Sequence, residues 1–190
     1  MVDTDFCVPP EKQERLATVY GLPDIGAPDM TLSKLAAAWE SGFNERIDVS
    51  ITCPASISDG FARGGFGLFS TAWDYLHFAQ MLLNGGELDG VRILSPKTVE
   101  LITTNHLGDL PMGFGRSGVG FGLGFAVSLD QGHIGEIGSP GEYSWGGAAG
   151  TRFWIDPEEE LIGIFMVQSI PHRTRLAQTF RVLTYQAIVE

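Results

Sequence analysis

Thiols are scarce in this chain. Cys7 and Cys53 are its two cysteines, far apart and in no CxxC spacing. That excludes a metal framework or a redox pair built on cysteine; the two read as partly buried thiols, with a disulfide between them left open. Cations are equally sparse, 12 Lys and Arg against 23 Asp and Glu, and scattered rather than clustered. A surface with a net charge of -11 repels a polyanion, so nucleic acid is excluded as a partner. Long apolar runs are absent too. The longest, residues 161–167, falls far short of a bilayer, which excludes a membrane span. The first six residues are acidic, with no basic n-region or apolar h-region, so no signal peptide is read and a cytoplasmic protein is expected.

What is present suits a folded protein. Hydrophobic residues make up 44% of the 190 and charged ones 18%, enough for one domain or a large piece of a bigger one. Residues 1–60 read as a loop-rich excursion. Pro9-Pro10 opens a short helix, residues 21–29 are loop, and residues 31–40 hold one or two helical turns. Residues 64–105 read as helical. Thr71 to Asp74 has the spacing of a capping box before a wide apolar face, and Asn84-Gly85-Gly86 ends that helix. Asp89-Gly90 marks a hairpin, and Ser95-Pro96 opens a second helix running to about Thr104. Residues 119–190 read as a sheet with a C-terminal helix. The strand candidates are 120–129, 143–145, 151–155 and 161–168, with an acidic turn at 156–160. The last helix, 174–188, carries Leu176, Phe180, Leu183 and Ala187 along one side. The fold class is therefore α+β, an antiparallel sheet with packed helices.

Several patterns resolve to plain structure. Residues 113–118 match GxGxxG, but Leu110-Pro111 precedes them and a strand follows, so they make a glycine-rich loop and not a dinucleotide site. His133 and Glu136 lie three apart in a glycine-rich, non-helical segment, without a second histidine at zinc spacing. His77, His106, His133 and His172 are read as ordinary histidines, and no metal or cofactor is expected. None of the twelve serines sits in GxSxG or has a lysine three positions later. Thr31-Leu-Ser-Lys34, the near miss, reads as a helix N-cap and its first turn.

The informative segment is 138–157. Gly146, Gly147 and Gly150 lie between two strand candidates, where glycine marks either a plain hairpin or the close approach of a ligand. Trp145-Gly146-Gly147 resembles the third box of serine β-lactamases, penicillin-binding proteins and related carboxylesterases, Lys-Thr-Gly in the first and Trp-Gly-Gly in many esterase-like relatives. Gly64-Gly65 before the Asp74 helix, the run from Met81 to Gly90 and Gly122 to Phe125 resemble the same family, especially its class C and family VIII-type members. The similarity covers the whole chain.

The resemblance implies a partial β-lactamase or transpeptidase-like fold, with residues 1–190 as one C-terminal portion. It implies that Tyr143, Trp145, Gly146 and Gly147 form an edge-strand wall beside the substrate, and that the Ala148 N–H is an oxyanion donor. Losing such a donor costs about 3–4 kcal/mol in well-studied hydrolases. The family's Ser-x-x-Lys and Tyr-x-Asn are absent, since Tyr20, Tyr75, Tyr143 and Tyr185 are followed two residues later by Leu, His, Trp and Ala. The chain alone is therefore expected to be inactive, with a small-molecule ester or lactam as substrate once the nucleophile is supplied. A non-catalytic binding protein and one half of a split enzyme are the rival readings. A homo-oligomer or strand-paired assembly is expected at the edge of 161–168, unless residues 1–60 fold back over it.

Overall fold

The computed structural model describes residues 1–21, 31–41, 45–46, 64–65, 67–113, 117–170, 172 and 174–189. They fall into two compact units. One comprises Met1–Asp74, Gly147–Thr151 and Met166–Thr174; the other comprises Tyr75–Gly146, Arg152–Phe165 and Arg175–Glu190. Cys53 and residues 22–29 of the stretch expected as loop over 21–29 lie outside the described residues, as do 114–116 of the GxGxxG match.

In the first unit, Pro9-Pro10 opens a single 3-10 helix, Pro10–Arg15. Its cations close on one carboxylate: Lys12 Nζ lies 2.6 Å from Asp3 Oδ1, and Arg15 Nη2 lies 2.8 Å from Asp3 Oδ2. Strand β1 (Tyr20–Gly21) precedes α1 (Leu32–Ser41) and β2 (Glu45–Arg46), with which it pairs antiparallel. The Lys34 N–H donates to Thr31 Oγ1 at 3.2 Å, so the near-miss motif is a helix start, and α1 is longer than the expected one or two turns.

Helix α2 (Ala72–Leu83) begins on half of the expected capping box. The Asp74 N–H donates to Thr71 Oγ1 at 3.1 Å, but the Asp74 carboxylate accepts from the Asp3 N–H and from Thr4 Oγ1 instead of closing the box. The N-terminal residues outcompete the helix's own first amide for that carboxylate.

In the second unit, α2 buries Ala79, Met81 and Leu82. It ends in a Schellman motif: the Gly86 N–H donates to the Met81 carbonyl and the Gly85 N–H to the Leu82 carbonyl. A side chain at Gly86 would strike the Leu94 carbonyl at 2.2 Å. Strands β3 (Glu87–Leu88) and β4 (Val91–Arg92) form the expected hairpin, with Asp89 at φ 51° and Gly90 at φ 77°. Helix α3 (Pro96–Thr103) is capped by Ser95, whose Oγ accepts from the Thr98 N–H at 3.0 Å.

A five-stranded antiparallel sheet follows: β5 (Val119–Phe121), β6 (Ala126–Ser128), β7 (Tyr143–Gly146), β8 (Arg152–Asp156) and β9 (Leu161–Phe165), in that order. The single strand expected over 120–129 is thus two strands. The Gly122 N–H donates to the Phe125 carbonyl, and Gly124 takes φ 105°. The glycines that imitate period-two alternation are the ones that make the turn. Short helix α4 (Gln131–Ile134) corrects the non-helical reading of His133, because Asp130 caps it and Gly135 at φ 69° ends it.

One sheet face packs Val127, Tyr143, Phe153 and Ile155 against Ala79, Met81, Leu82 and Val99. The other faces α5 (Leu176–Gln186), with the Trp154 and Phe180 rings 5.7 Å apart. Helix cover on both faces explains why residues 153–156 of β8 are all buried. The last strand, β10 (Ser169–Ile170), belongs to the first unit and runs parallel to β1.

The apolar line read along the last helix is not its buried face. Leu176 and Leu183 are more than half exposed, and Ala177, Arg181 and Tyr185 go inside. Arg181 is drawn in by Glu142, to which it donates at 2.8 and 2.5 Å, and by the Ile137 carbonyl. Tyr185 Oη lies within hydrogen-bond reach of both Glu142 and Asp156. Burial pushes the Glu142 carboxyl upward, and Arg181 offsets part of that rise.

Candidate functional site

The glycine-rich segment begins on β7. Tyr143 is 2% exposed, with its ring against Phe125 at 5.5 Å, so it belongs to the core. Burial lifts its phenol well above the ordinary range and keeps it protonated. Strand β7 is the third of five, which corrects the edge-strand reading. Its two halves differ, however. Tyr143 and Ser144 are paired on both sides, by Val127 and Ala126 of β6 and by Ile155 and Trp154 of β8. Trp145 and Gly146 pair only with Phe153 and Arg152 among the described residues, because the β5–β6 hairpin turns away before reaching them. Trp145 is exposed, with its ring edge-on to Phe121 at 5.2 Å.

The chain then enters a tight turn, Gly147–Thr151. The Gly147 N–H donates to the Thr151 carbonyl at 2.8 Å, and the Gly150 N–H to the Gly147 carbonyl at 2.9 Å. The Ala149 carbonyl accepts from the Ser169 N–H at 2.9 Å, which ties the turn to β10. A Cβ on Gly147 would lie 2.4 Å from Thr151 Oγ1, so a side chain there requires the threonine hydroxyl to turn away. Ala148 is exposed, and its N–H donates to no described residue. Three backbone bonds hold the turn, and the Ala148 N–H is left without an acceptor among the described residues.

A cavity of about 310 Å³ opens elsewhere, on the α5 face of the sheet beside Ser128, Ser144, Arg152 and Arg181. No residue from 145 to 151 lines it. Among the described residues no cluster of His, Cys, Asp or Glu could hold a metal ion, and no helix is long and apolar enough to cross a membrane. His172, read from the sequence as an ordinary histidine, has its ring against Gly150. Nothing local to residue 172 signals that contact, which joins two stretches distant in sequence.

The family model for β-lactamase matches residues 1–185. The chain belongs to the β-lactamase family. Protein Rv1367c of Mycobacterium tuberculosis (strain ATCC 25618 / H37Rv) is 34% identical over 184 residues, which cover 90% of this chain and 40% of that protein. Among solved structures, EstCE1, a hydrolase with promiscuous acyltransferase activity, matches 96% of this chain with a TM-score of 0.70 and 22% identity. The LovD6 mutant of simvastatin synthase from Aspergillus terreus matches 97% with a TM-score of 0.70 and 23% identity. Each match takes in 46% of the solved chain. The fold is thus a partial β-lactamase and transpeptidase fold, and the chain spans less than half the length of these relatives.

Proposed function

We propose that this chain is the portion of a serine acyl hydrolase that supplies the third-box wall of the active site, and that it carries no nucleophile of its own. The observation that carries the reading is the Ala148 N–H, exposed and without an acceptor among the described residues, on a turn closed by the Gly147 and Gly150 N–H groups. In this reading a serine on a segment bearing Ser-x-x-Lys and Tyr-x-Asn attacks an ester or lactam carbonyl. The lysine and tyrosine of that segment move the serine proton. The Ala148 N–H donates to the carbonyl oxygen as it becomes an oxyanion, while Gly146, without a side chain, leaves room for the substrate beside the strand end. Trp145 presents an apolar surface to the acyl group. Tyr143 acts only through packing.

The test joins this chain in frame to the nucleophile-bearing half of a longer relative and assays a short-chain p-nitrophenyl ester. Ala148→Pro deletes the N–H and is expected to lower kcat by about 10²–10³, the effect of losing one oxyanion donor. An active fusion whose kcat is indifferent to Ala148→Pro contradicts the assignment.

A further inference from the structure

The turn that presents Ala148 is packed against the ring of His172. Gly150 takes φ 92° and is buried, and the ring fills the space that a Cβ would occupy. Such a Cβ would fall 2.2 Å from His172 Nδ1 and 2.3 Å from His172 Cγ, so the imidazole lies directly over the Gly150 backbone. The ring's polar atoms are poorly used. Nε2 meets Thr174 Oγ1 at 3.3 Å, and Nδ1 is buried with no hydrogen-bond partner among the described residues. A buried nitrogen without a partner contributes nothing as an anchor. What the ring supplies is a flat surface.

We propose that His172 is the positioning residue of the third-box turn. Its ring, stacked on Gly150, holds residues 147–151 in the conformation that leaves the Ala148 N–H free to donate. Two devices act on the turn from the same stretch of chain: the Ser169 N–H holds the Ala149 carbonyl, and the His172 ring covers the next residue. The ring blocks Gly150 from moving toward it, while the φ of Gly150 excludes an ordinary side chain. This inference rests on the reading of Ala148 given above, but the geometry of the turn can be measured without any catalysis.

The experiment is amide hydrogen exchange by NMR on the 190-residue chain. Gly147 and Gly150 report on the turn, since their N–H groups make its two internal bonds, and Ile155, in the middle of β8, reports on global unfolding. His172→Ala is expected to speed exchange at Gly147 and Gly150 at least about tenfold, the factor set by losing ~1.4 kcal/mol, with Ile155 unchanged. His172→Phe keeps a flat ring and discards both nitrogens, and is expected to restore protection. Unchanged exchange at Gly147 and Gly150 in His172→Ala overturns the proposal. So does an equal rise at Ile155, or a failure of phenylalanine to restore what alanine loses. If the turn behaves as described while the fusion enzyme ignores Ala148→Pro, the positioning stands and the oxyanion role falls.

Discussion

Arg181 holds Glu142 through both terminal guanidinium nitrogens, at 2.8 and 2.5 Å, inside a helix–sheet interface where both side chains are nearly fully buried. The pair joins α5 to the chain just before β7, so it fixes the helix on the sheet from which the glycine-rich segment departs. Removing one partner of a buried pair strands the other without a counter-charge. Arg181→Met is expected to destabilise the chain by about 3–5 kcal/mol, and Arg181→Met with Glu142→Gln to recover part of that loss. Urea unfolding followed by tryptophan fluorescence measures both. A single variant within about 1 kcal/mol of the parent would remove the pair from the account.

The N-terminal segment is held by a different kind of pair. Asp3 is bound first by Arg15 and then by Lys12, and these cations push its carboxyl far below the ordinary range. A carboxyl whose pKa is depressed on folding contributes stability that is present above its unfolded value. That contribution is lost as pH falls through the folded one, here below about 4. The Phe69 N–H, which donates to the Asp5 carbonyl, is a local reporter. Its protection should fall as acid is added and as salt screens the cations, and Asp3→Asn should weaken both dependences, leaving the acid dependence carried by Asp74, whose carboxylate accepts from the Asp3 N–H and Thr4 Oγ1. Slopes in Asp3→Asn equal to those of the parent would contradict this.

Much of the scaffold is legible locally because its signals act over a few residues. Asp89-Gly90 turns because both residues accept positive φ, and Ser95 caps α3 with its own hydroxyl. Legibility fails where distant groups decide. Leu176 and Leu183 read as the inner face of α5, yet Glu142 and the Ile137 carbonyl pull Arg181 inward and rotate the leucines out. Tyr143 reads as part of a site wall, yet Phe125 and the helices beneath the sheet claim its ring. The glycine positions at 146, 147 and 150 are legible as a special turn, but the ring that requires Gly150 lies on another strand's continuation.

Assembly is expected at β9. Among the described residues its one ladder partner is β8, and residues 161–167 carry no charge to guard the outer edge. Tyr20 of β1 pairs with Ser169, beyond the end of β9, and leaves 161–165 without a second ladder among the described residues. Light scattering at micromolar concentration should show a dimer or larger species, with slower exchange of the β9 amides as concentration rises. A 20.6 kDa species that stays monomeric on concentration would rule this out.

The central claim is that this chain brings the wall of an acyl-transfer site and lacks the group that attacks. None of its serines stands three residues before a lysine, and no tyrosine stands two before an asparagine. The most direct test is turnover by the pure 190-residue chain of a short-chain p-nitrophenyl ester and of nitrocefin, beside a panel that replaces each serine by alanine. No turnover above the buffer rate is expected with either substrate. Turnover that disappears in one serine variant would show a nucleophile on this chain and contradict the claim.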